Sequence, residues 1–237
     1  MAYFLCIDTS TDICSVLISR ENHILCHLKV SDKNVHSSLL TSFIENCLKQ
    51  ANLSLTEINA IGINAGPGSF TGLRIGIAVA KGVCYGSSIP LIGINSLEAL
   101  AKAHAHKSIE DLYICPMMES KNKEVYFCLF DQNMNLVYDY TCSKFDDELI
   151  LSSLDKKKVV FTGNAVDSWT LQYQNHPNAV YSSIRESDAT LLSGLTTHKY
   201  NMKIFEDIRY FEPYYLREFK AQKSSKRMNQ VLHGPQN

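Results

Sequence analysis

The sequence predicts an α/β protein of two lobes, the second a reduced copy of the first. Three observations lead there. The first hundred residues read as three consecutive strands followed by alternating helices and strands. Past His104-Ala105-His106-Lys107 a similar but less regular pattern restarts. A glycine-rich stretch, Gly66-Pro67-Gly68-Ser69-Phe70-Thr71-Gly72, joins an apolar strand to a helix, where backbone N–H groups can approach an anion.

In chain order, Tyr3 to Ile7 is an apolar run closed by Asp8-Thr9-Ser10-Thr11, a central strand and its polar turn. Ile13 to Ile18 and Ile24 to Val30 follow as strands around the turn Arg20-Glu21-Asn22-His23, giving an antiparallel meander. Val35 to Ala51 sets Leu39, Leu40, Phe43, Ile44, Cys47 and Leu48 at helical spacing. A strand over Glu57 to Asn64 and a helix from Gly72 to Tyr85 come next. A strand at Pro90 to Ile94 and a helix from Ser96 to His104, capped by Ser96, complete the lobe. The order βββαβαβα is that of a ribonuclease-H-like lobe of the actin-like ATPase superfold. It bounds a first domain at residues 1–106.

In the second lobe, residues 107–216, strands are expected at Leu112 to Met117, Glu124 to Phe130, Leu136 to Cys142, Lys158 to Thr162 and Ala179 to Tyr181. Helices are expected at Phe145 to Leu154, Val166 to Tyr173 and Asp188 to Lys199. Residues 217–237 form a basic tail. Arg217, Lys220, Lys223, Lys226 and Arg227 face only Glu218, the pattern of a frayed end or of an arm touching RNA.

A chain of 237 residues with 45% hydrophobic residues, 20% charged and a formal net charge of −1 is an ordinary globular composition, not that of a general polyanion binder. The eight cysteines include no Cys-x-x-Cys and several lie in apolar runs, so they read as reduced core residues of a cytoplasmic protein. The N-terminal apolar run stops at Asp8, too early for a signal peptide.

Three residues between Gly68 and Gly72, followed by Leu73-Arg74, exclude a P-loop, and Thr71 stands where a dinucleotide fingerprint needs its third glycine. The histidines at 23, 27, 36, 104, 106, 176, 198 and 233 contain no His-x3-His. His23 and His27 share a hairpin strand, where residues four apart are about 13 Å distant. No nucleophile elbow is present. Asp8, Thr9, Gly66, Gly68, Ser69 and Arg74 are the candidates for a phosphate or nucleotide site; turn chemistry alone accounts for Asp8 and Thr9 equally well. Gly72, Gly76 and Ala80 form a small-residue stripe on one helix face, with Arg74, Lys81 and Tyr85 opposite. Glycine inside a helix costs about 0.5 to 1 kcal/mol relative to alanine, so the stripe implies a close neighbour, either the chain's own first helix or that of a partner.

Ile7-Asp8-Thr9-Ser10-Thr11, the block Ala65 to Gly76 and Ala80-Lys81-Gly82 closely resemble the TsaB (YeaZ) family. Further matches are His36-Ser37, Ile89-Pro90-Leu91-Ile92-Gly93 with Ser96-Leu97-Glu98-Ala99-Leu100, Glu124-Val125-Tyr126 and Pro213-x-Tyr215-Leu216-Arg217. The resemblance is dense over the first 105 residues and patchy afterwards. Where the family has an aspartate and an arginine before Glu-Val-Tyr, this chain has Glu119 and Lys121.

The resemblance implies a role in forming N6-threonylcarbamoyladenosine at position 37 of tRNAs that read codons beginning with A, as a non-catalytic subunit. In the related catalytic subunit, TsaD, an Asn-His-Met-Glu-Gly-His segment holds the metal. Here the segment reads Asn95 to Leu100, with Ser96 and Leu100 at the two histidine positions, which a transition metal would not accept. No metal and no intrinsic cofactor are therefore expected; ATP or ADP at the partner junction stays open. The implied partners are TsaD, the ATPase TsaE, tRNA through the complex, and a second copy of the chain when it is alone. Leu39, Leu40, Phe43, Ile44, Cys47, Gly72, Gly76 and Ala80 are the expected interface set, carried by its exposed members. An ATP-dependent small-molecule kinase or ATPase of the same superfold is the alternative.

Overall fold

The computed structural model describes residues 1–32, 36–105, 111–120, 124–144 and 147–216; the basic tail and Lys121 lie outside them. Strands β1 (Tyr3–Asp8), β2 (Ile13–Arg20) and β3 (His23–Ser31) form the antiparallel meander expected from the sequence. Helix α1 (His36–Ala51), β4 (Ile58–Gly66), α2 (Phe70–Ser87), β5 (Leu91–Asn95) and α3 (Ser96–Lys102) follow. The first sheet has the order β3-β2-β1-β4-β5, with β4 parallel to β1 and β5 parallel to β4. β1 and β4 are apolar nearly throughout because both faces of this sheet are covered.

The second sheet repeats that topology. It is built from β6 (Leu112–Glu119), β7 (Val125–Asp131) and β8 (Leu136–Ser143), then helix α4 (Asp147–Leu154), β9 (Lys158–Thr162), the single turn α5 (Val166–Trp169) and β10 (Ala179–Tyr181), ending with helix α6 (Ser193–Asn201). Its order, β8-β7-β6-β9-β10, keeps the antiparallel meander on one side and two parallel strands on the other. The weaker pattern of the sequence here has a cause in the pairing. β8 is exposed or half-buried along its length and β10 is three residues long, so neither needs a continuous apolar run.

The third helix of each half reaches across to the other. From α3, Leu97, Leu100 and Ala101 pack with Leu112, Ile114, Met118, Cys128, Phe130 and Val160 of the second sheet. In return, Ala189, Leu192 and Leu195 cover Phe4, Cys6, Ala60, Ile92 and Ile94 of the first. The helix grouped with the second lobe by sequence therefore sits on the first. Gly62 in β4 permits this, since a Cβ there would collide with the Thr196 side chain of α6. Residues 204–216 then run back over the first half, where Glu206 N–H donates to the Leu91 carbonyl and Tyr214 N–H to that of Ala65.

Two local readings are corrected. The N-cap of α3 is Asn95, whose Oδ1 accepts from Leu97 N–H (2.8 Å) and Glu98 N–H (3.3 Å), leaving the Ser96 hydroxyl for another partner. The helix expected over Val166 to Tyr173 is one α-turn followed by a 3-10 turn at Leu171–Tyr173.

Candidate functional site

Asp8 ends β1 and is fully buried where the two halves meet. Its Oδ1 accepts from Ser10 N–H (2.9 Å) and Ser10 Oγ (2.7 Å). Its Oδ2 accepts from Asn64 Nδ2 (2.9 Å) and from Ser187 Oγ (2.6 Å). Burial pushes the carboxyl above the usual carboxylate range, against the opposing pull of these four donors. Asn64, at the end of β4, turns its Oδ1 to Gly66 N–H (3.0 Å) and to Ser96 Oγ (2.6 Å). The Ser96 hydroxyl also lies 2.7 Å from the Pro67 carbonyl.

The glycine loop closes on the turn after β1. Ser69 N–H donates to the Ser10 carbonyl (2.7 Å), and Thr9 Oγ1 donates to the Gly72 carbonyl (2.8 Å). A Cβ at Gly68 would collide with the Ser10 carbonyl, one at Gly72 with the Thr9 carbonyl, and one at Gly76 with Thr9 Oγ1. Gly66 has φ +106° and precedes a cis peptide bond to Pro67, a conformation L residues with a Cβ rarely adopt. Ser69 caps α2, its Oγ accepting from Gly72 N–H at 3.3 Å. The first turn of α2 is thus engaged by the chain's own side chain and backbone.

The segment from Ser187 to Ala189 seals the other side. Besides the Ser187 contact, Asp188 pairs with Lys29 at 2.9 Å and Ala189 N–H donates to Ser15 Oγ at 3.1 Å. Glu186, next to this seal, is raised by burial and by the charges of Asp12, Glu119 and Asp8. The charges acting on Glu186 are therefore acidic.

A nucleotide phosphate is the ligand the sequence suggests for these residues, and their polar groups are already engaged. Both carboxylate oxygens of Asp8 are taken by internal donors, and Thr9, Ser10, Ser69 and Ser96 are engaged within the chain. Arg74, the cation expected to serve such a site, is elsewhere. It is exposed on α2, its guanidinium 3.8 Å from the centroid of the Phe70 ring, with Nε donating to the Tyr215 hydroxyl at 3.0 Å. Asp8, Thr9, Gly66, Gly68 and Ser69 are brought together; Arg74 is not.

The expected interface set divides in the same way. Leu40, Ile44, Cys47, Gly72, Gly76 and Ala80 are buried within the chain, while Leu39 and Phe43 are half-buried. The close neighbour of the Gly72–Gly76 stripe is the chain's own Thr9 turn, neither of the two helices considered from the sequence. The outer face of α2 carries instead Thr71, Arg74, Ala78, Gly82, Tyr85 and Gly86, all exposed. Tyr85 is 84% exposed, and a Cβ at Gly82 or Gly86 would meet nothing within 4 Å.

Asn64, Ser96 and Ser187 are the site residues that sequence reading missed. Asn64 carried a signal, as a polar residue in the run Ile61-Gly62-Ile63-Asn64. Ser96 reads from the sequence as a helix cap, and Ser187 lies in an unpatterned polar stretch. Among the described residues no three His, Cys, Asp or Glu side chains are grouped to hold a metal ion.

A family model described as TsaD, tRNA N6-adenosine threonylcarbamoyltransferase, matches residues 25–224. Relatives named tRNA threonylcarbamoyladenosine biosynthesis protein TsaB include that of Escherichia coli strain K12, 31% identical over 134 residues. The chain belongs to the TsaD family, on its TsaB (YeaZ) branch. The E. coli match covers 56% of this chain and 57% of that protein. TsaB of Buchnera aphidicola from Acyrthosiphon pisum is 27% identical over 174 residues, 72% of this chain and 77% of that one. Among solved structures, YeaZ from Pseudomonas aeruginosa superposes with a TM-score of 0.71 at 20% identity, covering 90% of this chain and all of that one. The ethanolamine utilization protein EutJ of Carboxydothermus hydrogenoformans shares the fold at a TM-score of 0.53 and 9% identity, over 82% of this chain and 90% of that one. In this TsaB-branch chain, Ser96 is tied to Asn64 and Pro67, and Leu100 is buried in the core between the halves. Both positions thus have internal duties.

Proposed function

We propose that this chain is a non-catalytic subunit of the machinery that forms N6-threonylcarbamoyladenosine at position 37 of tRNAs reading codons that begin with A. The sealed junction at Asp8 carries the non-catalytic part of the reading. A carboxylate saturated by Ser10, Asn64 and Ser187 has no lone pair directed at a metal–phosphate group. Its partner is the TsaD-type catalytic subunit, docked on the outer faces of α1 and α2. The half-buried Leu39 and Phe43 and the exposed Ala78, Gly82 and Tyr85 support that surface. Two helical glycines with open space above them cost stability within the chain, a cost that an approaching partner backbone would explain. The same surface would join two copies of the chain when the catalytic subunit is absent. A TsaE-type ATPase and tRNA join through the assembled pair, and any adenine nucleotide belongs to the junction with the partner.

The test mixes the purified chain with the TsaD-type protein of its own genome and measures complex mass and tRNA modification. Modification that needs both proteins, with no ATP hydrolysis by this chain alone, is the expected result. ATP hydrolysis or substrate phosphorylation by the isolated chain, abolished by Asp8→Ala, would establish the kinase alternative instead.

A further inference from the structure

Two cysteines that the proposed role does not use face one another beneath α1. Cys26 lies in β3 and Cys47 in α1, both in the core of the first half, and their Sγ atoms are 3.0 Å apart. Cys47 is fully buried and its thiol lies 3.6 Å from the Val16 carbonyl. Cys26 retains 6% exposure, and its thiol is also 3.4 Å from Gln50 Oε1. Cys6, by contrast, faces Thr196 Oγ1 at 3.5 Å.

We infer that Cys26 and Cys47 form an oxidant-sensitive pair that closes to a disulfide and staples α1 to β3. A disulfide needs its sulfurs at about 2.05 Å, so closure asks for roughly 1 Å of approach from the thiol contact. Hydrogen peroxide is a sufficient oxidant. The Cys26 thiolate attacks one peroxide oxygen, the O–O bond breaks, and hydroxide leaves and is protonated to water, giving a sulfenic acid on Cys26. Cys47 Sγ then attacks Cys26 Sγ, the S–O bond breaks, and the expelled oxygen takes up the protons to leave as a second water. Two thiols lose two electrons and two protons in all, and one peroxide becomes two waters. Burial, and then the neighbouring Cys26, hold the Cys47 thiol well above its ordinary pKa, so closure accelerates as pH rises. The staple spans the sequence between β3 and α1, and α1 is half of the proposed docking layer. Its consequence for the partner rests on that reading; the covalent step does not.

The experiment treats the full chain with hydrogen peroxide, unfolds it and counts thiols, with peptide mapping. The eight free thiols should fall to six, with a Cys26–Cys47 linked peptide that dithiothreitol releases. Cys26→Ala and Cys47→Ala should each abolish that peptide. Eight thiols remaining, or a bridge joining other cysteines, overturns the inference, and the wild-type mapping decides this even if a variant fails to fold. Binding of the TsaD-type protein to the oxidised chain is measured separately. A formed bridge with unchanged binding would count against the docking face while leaving the bridge intact.

Discussion

Ser187 and Asp8 are 179 residues apart in the chain and 2.6 Å apart in the fold, a hydroxyl from the second half donating to a buried carboxylate of the first. Beside the apolar contacts of α3 and α6, the halves thus meet at a carboxylate whose oxygens accept from Ser10, Asn64 and Ser187. The contact also carries a sign that titration can read.

Ser187→Ala removes a donor that favours ionised Asp8, so it raises a carboxyl already raised by burial. A group whose folded pKa lies above its unfolded value, about 3.9, destabilises the fold above the folded value and not below the unfolded one. The variant should therefore lose about 1–3 kcal/mol at pH 7 and less near pH 3.5. Urea denaturation of both proteins across that range checks it; an equal loss at both ends would show that Asp8 does not titrate in the window.

Gly76→Leu should damage the fold rather than an interface. Its Cβ would strike Thr9 Oγ1 and sit 3.3 Å from Ile63 Cδ1, so a loss of up to about 3 kcal/mol is expected. Circular-dichroism melting of the isolated chain reads this, and a variant that melts normally while binding poorly would restore the stripe to the partner.

Gly82→Ala and Gly86→Ala should each stabilise the isolated chain by about 0.5–1 kcal/mol, since both are helical and open to space. Gly82→Leu should fold equally well yet weaken association with the catalytic subunit. Co-purification unchanged by Gly82→Leu would move the docking surface off this face.

Arg74→Lys should behave much like Arg74→Ala in loosening residues 213–216 from α2. An ammonium cannot reproduce the flat stack on Phe70 together with an Nε bond to the Tyr215 hydroxyl. Faster amide exchange in that segment for both variants is expected; retention of wild-type protection by the lysine variant would contradict the stacking account.

The meander, α1 and the β4–loop–α2 unit were legible because each depends on local pattern, an apolar run or a helical stripe ending in turn residues. Asp8 and the glycines were legible as well, since turn chemistry is written locally. The partners of these residues were not. The identity of the neighbour over Gly72 and Gly76 depends on Thr9, more than sixty residues away, and Ser187 reaches Asp8 only through the tertiary fold. Periodicity reported correctly that Gly72, Gly76 and Ala80 share a face, and could not report what lay against it.

The exchange of third helices bears on how this chain was assembled and how it can be cut. Its two halves repeat one strand order, as a duplicated ancestor would, yet each has surrendered part of its roof to the other. A fragment stopped at residue 106 would bare Phe4, Cys6, Ala60, Ile92 and Ile94 to water, and the remainder would strand Leu192 and Leu195 without a floor. The repeated halves are therefore not separable: expressed singly, either half should aggregate, and only co-expression of both should return a soluble protein.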